Sequence, residues 1–166
     1  FNEVGGIASV ETYVFSDRES ASDPAVLRSL KRADGIFLAG GDQSRYVRYW
    51  RGTPVGAALD AHVRAGKPLG GTSAGLAMQG EYLYGAMDGG SVISPHALAD
   101  PLGPDNTIET DFLQLALLKG VITDTHFSER NRLGRLIAFV AKAESLAGRP
   151  ILGLGGEEDP ARALEA

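Results

Sequence analysis

The chain predicts an α/β fold, a mostly parallel sheet with helices on both faces, and three observations carry that expectation. Strand-like and helix-like segments alternate along it. One of the strand-like segments, "GIFLAGG" at residues 35–41, is a short continuous apolar run, as expected of a strand buried on both faces. Four of the strand-like segments end in unusual residues, three of them in glycine turns: "GGDQ", "GTSAG", "DTHF" and "GGEED". In parallel sheets, active groups collect beyond the carboxyl ends of strands.

The elements follow in order. Residues 8–15, "ASVETYVF", carry β-branched and aromatic side chains and predict a strand. Residues 22–34 predict a helix with Asp23 as N-cap, Pro24 in the first turn, and Val26, Leu27 and Leu30 at helical spacing. Residues 35–41, "GIFLAGG", predict a buried strand. Thr53-Pro54 starts the next helix and Gly66 stops it. "PLGGTSAG" is a strand and turn, and "GVITDTHF" another. A long helix follows over 129–148, with Leu133, Leu136, Ile137 and Val140 as its apolar stripe. Residues 150–156 form the last strand. Residues 85–106 read as an irregular loop or short hairpin able to wall a pocket.

The 166 residues are 43% hydrophobic and 22% charged, which suits a single soluble domain, 1–166. A net charge of −5 lacks the basic footprint that nucleic-acid binding requires. The absence of cysteine excludes disulfides, thiol catalysis and zinc–thiolate sites. No apolar run approaches the about 20 residues of a membrane span, so no membrane partner is expected.

Ser73 lies in Gly71-Thr72-Ser73-Ala74-Gly75, the G-x-S-x-G pattern of serine hydrolases. A neutral serine needs exposure, a base and oxyanion donors before it attacks a carbonyl. A sharp strand-to-helix turn supplies exposure and aims the Ala74 N–H at the reacting oxygen. A helix cap or phosphate loop is the competing reading of the same turn. Of three histidines, His62 falls mid-helix on a partly exposed face and His96 in the irregular loop. His126 follows a strand, where a catalytic base is expected, and an imidazole is the side chain suited to take a serine proton near neutral pH. The base needs an orienting carboxylate, and Glu157, Glu158 and Asp159 all follow the last strand. The turn at Gly40-Gly41 offers the second oxyanion donor, assigned to Gly41, and Gln43 can bond substrate. No second histidine pair completes a metal site, and no cofactor is implied.

Taken together, "GIFLAGGDQ", "GGTSAGLAMQGEYLYG", "DTHFSERNRLGRLIAFVAK" and "ILGLGGEED" resemble peptidase family S51 over nearly the whole chain. Within the family the resemblance is to the cyanophycinases, with dipeptidase E a more distant relative. It implies a class-I-glutamine-amidotransferase-like fold and serine exopeptidase activity at aspartyl residues, with an aspartyl peptide or cyanophycin-like substrate. Carried over, Ser73 resembles the nucleophile, His126 the base and Glu158 the acid, with Glu157 in place of the usual aspartate. Gln43 resembles the glutamine of the oxyanion-side turn. Asp124, Arg130, Arg132 and Arg135 resemble the residues that shape the substrate pocket. Thr125 stands where cyanophycinases often have glutamine. Family members carry strands before Phe1 and more chain after "GGEED", so the sequence looks truncated at both ends, and an exposed strand edge would favour a homodimer. A related amidase or esterase, or a non-catalytic peptide- or anion-binding module, are the other readings.

Overall fold

A computed structural model describes residues 5–157. The order is α1 (Pro24–Arg32), β1 (Ile36–Leu38), α2 (Gln43–Trp50), α3 (Pro54–Arg64), β2 (Leu69–Gly71), α4 (Ala74–Ala77), β3 (Leu83–Tyr84), α5 (Ser94–Ala99), β4 (Ile108–Glu109), β5 (Val121–Asp124), α6 (Leu133–Ala147) and β6 (Leu152–Gly155). The α/β alternation is present, and the pairs β1–β2 and β5–β6 are parallel while β3–β4 is antiparallel. Among the described residues the strands form three two-stranded ladders rather than one continuous sheet, with Tyr82 bridging to Ile122 beside β5.

Local chemistry explains most boundaries. The Asp23 carboxylate accepts from Ala25 N–H at the start of α1, and the Thr53 hydroxyl caps α3. Gly148 ends α6 in the left-handed conformation. The start of α2 uses the same device, with the Asp42 carboxylate accepting from Ser44 N–H at 2.9 Å. That helix was not anticipated, although Val47 and Trp50 keep helical spacing on its buried side.

Four expectations need correction. Residues 8–15 form no strand, although they are rich in β-formers. A strand exists only with a ladder partner, and β1 pairs with β2 on its other side. The segment instead lies beside α1 and α2, with Tyr13 Oη 2.8 Å from Ser29 Oγ and Phe15 edge-on to Trp50. A cavity of about 1100 Å³ lies between this segment and β1 and α2; it borders Gly40–Asp42, and neither Ser73 nor His126 lines it. The apolar stripe of α6 is rotated: Leu133 and Ile137 are exposed, while Leu136, Phe139 and Ala143 are buried. His62 is buried, not partly exposed, with Nε2 3.1 Å from the Pro68 carbonyl. Residues 85–106 contain α5, which packs on α6 across Gly134, where a Cβ would lie 2.8 Å from Leu98 Cδ1.

The core divides in two. Leu38, Val47, Trp50, Val55, Leu59, Met78, Leu83 and Leu113 belong to one cluster, between the first helices and the β1–β2 ladder. Tyr84, Ile122, Leu136 and Phe139 belong to the other, between α6 and β5. The chain after β2 bridges them: Thr123 Oγ1 donates to the Ala77 carbonyl at 3.0 Å, joining β5 to α4.

Glu81 binds the end of this second unit, accepting from Gly120 N–H and from Arg149 Nη2, the latter at 2.8 Å. Burial alone would raise its pKa, but these donors outweigh burial and lower it below the ordinary 4.5. A lowered folded pKa means stability present above about pH 4.5 and lost as pH falls through the folded value. Glu81→Gln should therefore lower the melting temperature near neutral pH. The difference from the parent should shrink steadily as pH falls below 4.5, as thermal melts across pH would show.

Candidate active site

The turn between β2 and α4 is built around glycines whose missing side chains leave room for backbone. A Cβ on Gly71 would sit 2.5 Å from the Gly75 carbonyl oxygen and 2.6 Å from Gln79 Nε2. A Cβ on Gly75 would collide with the Leu38 carbonyl and lie 2.7 Å from that of Ala39. This close packing presses the first turn of α4 onto the end of β1. Ser73, between them, is forced to φ 51° and ψ −120°. Such a backbone costs a non-glycine residue about 1–3 kcal/mol. The Ser73 side chain makes no capping bond to α4. It is half-buried, and Ala74 N–H, at the first helical position, has no acceptor one turn earlier.

His126 approaches from the end of β5. Its backbone is also left-handed, at φ 51°. Its Nε2 lies 2.8 Å from Ser73 Oγ, although 53 residues separate the two. Nδ1 faces the other way, 3.5 Å from Glu129 Oε2. Glu129 is a neighbour that the sequence reading missed; it lies three residues on, close enough to meet the ring across one turn.

The His126 turn is stitched to the end of β6. Gly156 N–H donates to Asp124 O at 2.8 Å, and Phe127 N–H donates back to Gly156 O at 3.2 Å. The Phe127 ring lies on Gly155, where a Cβ would be 2.6 Å from the ring. Glu157 receives Ser128 Oγ–H at 2.5 Å and Ser128 N–H at 3.1 Å. Glu158 lies outside the described residues.

The polar residues behind the histidine are mostly engaged with one another. Asp124 and Arg135 form a buried bidentate pair, Nε to Oδ2 at 2.7 Å and Nη2 to Oδ1 at 2.5 Å. Arg135 is 1% exposed and Asp124 2%. The guanidinium also donates to Ser91 Oγ and the Val92 carbonyl, and lies 5.4 Å from the ring centres of Tyr84 and Phe139, which stack on each other. Arg135 is thus neither on a solvated helix face nor open to a ligand. Arg132 is buried too, donating to the Thr125 carbonyl at 2.7 Å and lying 3.7 Å from Asp124. Burial, then repulsion from Arg135, lowers its pKa to about 10, with Asp124 opposing. One carboxylate serves two guanidiniums, which leaves excess positive charge behind the His126 turn. Arg130 is exposed beside Glu129.

At the start of α2, Gln43 Nε2 donates to the Tyr84 carbonyl at 2.8 Å. Gly41, at φ 135°, is exposed with open space at its Cβ position. His96 is exposed on α5. No cluster of metal-binding side chains occurs among the described residues, and no described helix is long and apolar enough to cross a membrane.

A strained serine in hydrogen-bond reach of a strand-end histidine is the layout of a serine hydrolase, and the chain belongs to peptidase family S51, whose profile matches residues 13–155. It is similar to cyanophycinases: 34% identical to that of Trichormus variabilis over 99% of this chain, 36% to that of Synechococcus elongatus over 97%, and 29% to that of Geminocystis herdmanii over 96%. The aligned regions are 50%, 45% and 53% of those proteins, so the chain spans about half the length of the curated relatives it matches.

The buried ion pair gives a direct expectation. Asp124→Asn leaves two buried guanidiniums without a counter-charge, and breaking such a pair costs about 3–5 kcal/mol. Urea unfolding should show that loss, and Arg130→Ala, at an exposed position, should show less than about 0.5 kcal/mol.

Proposed function

We propose that the full protein is a serine exopeptidase that hydrolyses peptide or isopeptide bonds at aspartyl residues, in the manner of the cyanophycinases it resembles. The observation that carries this is the 2.8 Å approach of Ser73 Oγ to His126 Nε2 from two separate strained turns. Its fold is read as class-I-glutamine-amidotransferase-like.

In this reading His126 Nε2 takes the Ser73 proton as Oγ attacks the scissile carbonyl carbon, and the carbonyl oxygen becomes an oxyanion. Ala74 N–H, at the head of α4, and the glycine turn after β1 stabilise that charge. His126 then returns the proton to the leaving amine, and the acyl-enzyme remains on Ser73. Water, deprotonated by His126, releases the acid and restores the serine. Glu158 is assigned the role of orienting the imidazole through Nδ1, with Glu129 near the same atom.

The substrate carboxylate has a matching field. The excess positive charge of Arg132 and Arg135 over Asp124 favours an anionic group nearby, and Arg130 is exposed to meet it directly. Asp124 and Arg135 shape the pocket from beneath, because their charged atoms are committed to each other. Gln43 offers its amide oxygen to a substrate N–H.

The test is hydrolysis of cyanophycin and of α- and β-aspartyl dipeptides by the full-length protein. Ser73→Ala should lower kcat/KM by at least about 10³-fold. Arg130→Ala should raise KM for aspartyl substrates more than it lowers kcat. Wild-type rates in Ser73→Ala would refute the nucleophile. Cleavage of simple esters or amides, with aspartyl peptides untouched, would favour a different hydrolase of the same layout.

A further inference from the structure

The peptide between Ala39 and Gly40, just beyond β1, is held from two directions. Tyr46 Oη donates to the Ala39 carbonyl oxygen at 2.6 Å. The same oxygen packs against Gly75, where a Cβ would lie only 2.7 Å from it. In a planar trans peptide the carbonyl and the following N–H point in opposite directions. Fixing the Ala39 oxygen therefore fixes the direction of the Gly40 N–H. Gly40 itself lies against the nucleophile: a Cβ built on it would be 3.2 Å from Ser73 Cβ and 3.6 Å from Ser73 Oγ. Among the described residues the Gly40 N–H donates to no other group.

We propose that Tyr46 is a positioning residue that acts through the Ala39–Gly40 peptide, aiming the Gly40 N–H at the oxyanion formed when Ser73 attacks. This rests on the serine-hydrolase reading above and moves the second oxyanion donor from Gly41 to Gly40. Tyr46 is well placed to hold such an alignment. It sits one turn into α2, which Asp42 caps directly after the glycine turn. Its ring meets Trp50 edge-on with centroids 4.7 Å apart, and Trp50 is itself braced by Phe15. Burial keeps the phenol pKa above its ordinary value, so the hydroxyl stays protonated as a donor. A donor fixed before the reaction needs no reorganisation as charge develops, which is the source of oxyanion stabilisation.

The experiment compares the full-length wild type, Tyr46→Phe and Ser73→Ala. Each is assayed on an aspartyl dipeptide and against two inhibitors, the corresponding aspartyl aldehyde and its alcohol. The aldehyde carbon accepts Ser73 Oγ, the serine proton passes to His126, and the carbonyl oxygen becomes an oxyanion in the hemiacetal adduct. The alcohol binds without forming one. For Tyr46→Phe the expected result is a kcat about tenfold lower with KM within about twofold. The aldehyde Ki should rise by the same factor as kcat/KM falls, with the alcohol Ki unchanged. The melting temperature should drop by no more than a few degrees, as loss of one hydrogen bond implies. An unchanged kcat, an alcohol Ki that rises with the aldehyde Ki, or loss of the fold would overturn the assignment. Wild-type activity in Ser73→Ala would instead remove the serine-hydrolase reading, and this role with it.

Discussion

The buried Asp124–Arg135 pair is the interaction on which the site depends. Asp124 is the last residue of β5 and Arg135 belongs to the first turn of α6. Their double hydrogen bond locks strand to helix across the intervening turn, which contains His126. The rest of the guanidinium reaches Ser91 and Val92, so the same residue also holds the segment before α5. Such a pair stabilises little over a well-packed apolar alternative, but it is costly to break from one side. Its contribution is to leave the turn one geometry. Arg132 adds a second tie by holding the Thr125 carbonyl, immediately before the strained His126 backbone.

The Ser73 side relies on an opposite device, the absence of side chains. Gly71 and Gly75 let β1, β2 and α4 come closer than any Cβ would allow. Ser73 is pushed into a backbone that serine rarely adopts, and its Oγ meets an imidazole arriving from another strand. Strain at both Ser73 and His126 is tolerated because the surrounding backbone is over-determined. A loose loop would relax both residues and lose the contact between them.

The parts of this arrangement legible in the chain were the local ones. Asp23, Thr53 and Gly148 mark helix ends by chemistry that acts within a few residues. The glycine pattern around Ser73 likewise encodes a turn. Residues 8–15 show where that reading fails, because β-propensity describes a surface that fits a sheet and not the partner that completes it. The α6 stripe failed for a related reason. Leu133, Leu136, Ile137 and Val140 satisfy helical spacing, but which side faces the core was set by α5 crossing at Gly134 and by the burial of Arg135. A charged residue in the core has no signature in a hydrophobic pattern.

The sequence by itself determined the α/β alternation, the capped helix starts, the glycine turn around Ser73 and the family to which the chain belongs. Only the tertiary structure decided that Ser73 and His126 meet, that Arg135 is spent on Asp124, and that Tyr46 grips the peptide beside Ser73. Motifs and caps act over neighbouring residues, and their chemistry is written in residue order. The 2.8 Å contact joins residues 53 positions apart, on turns that follow two different strands, β2 and β5, so only the packing of those strands brings it about.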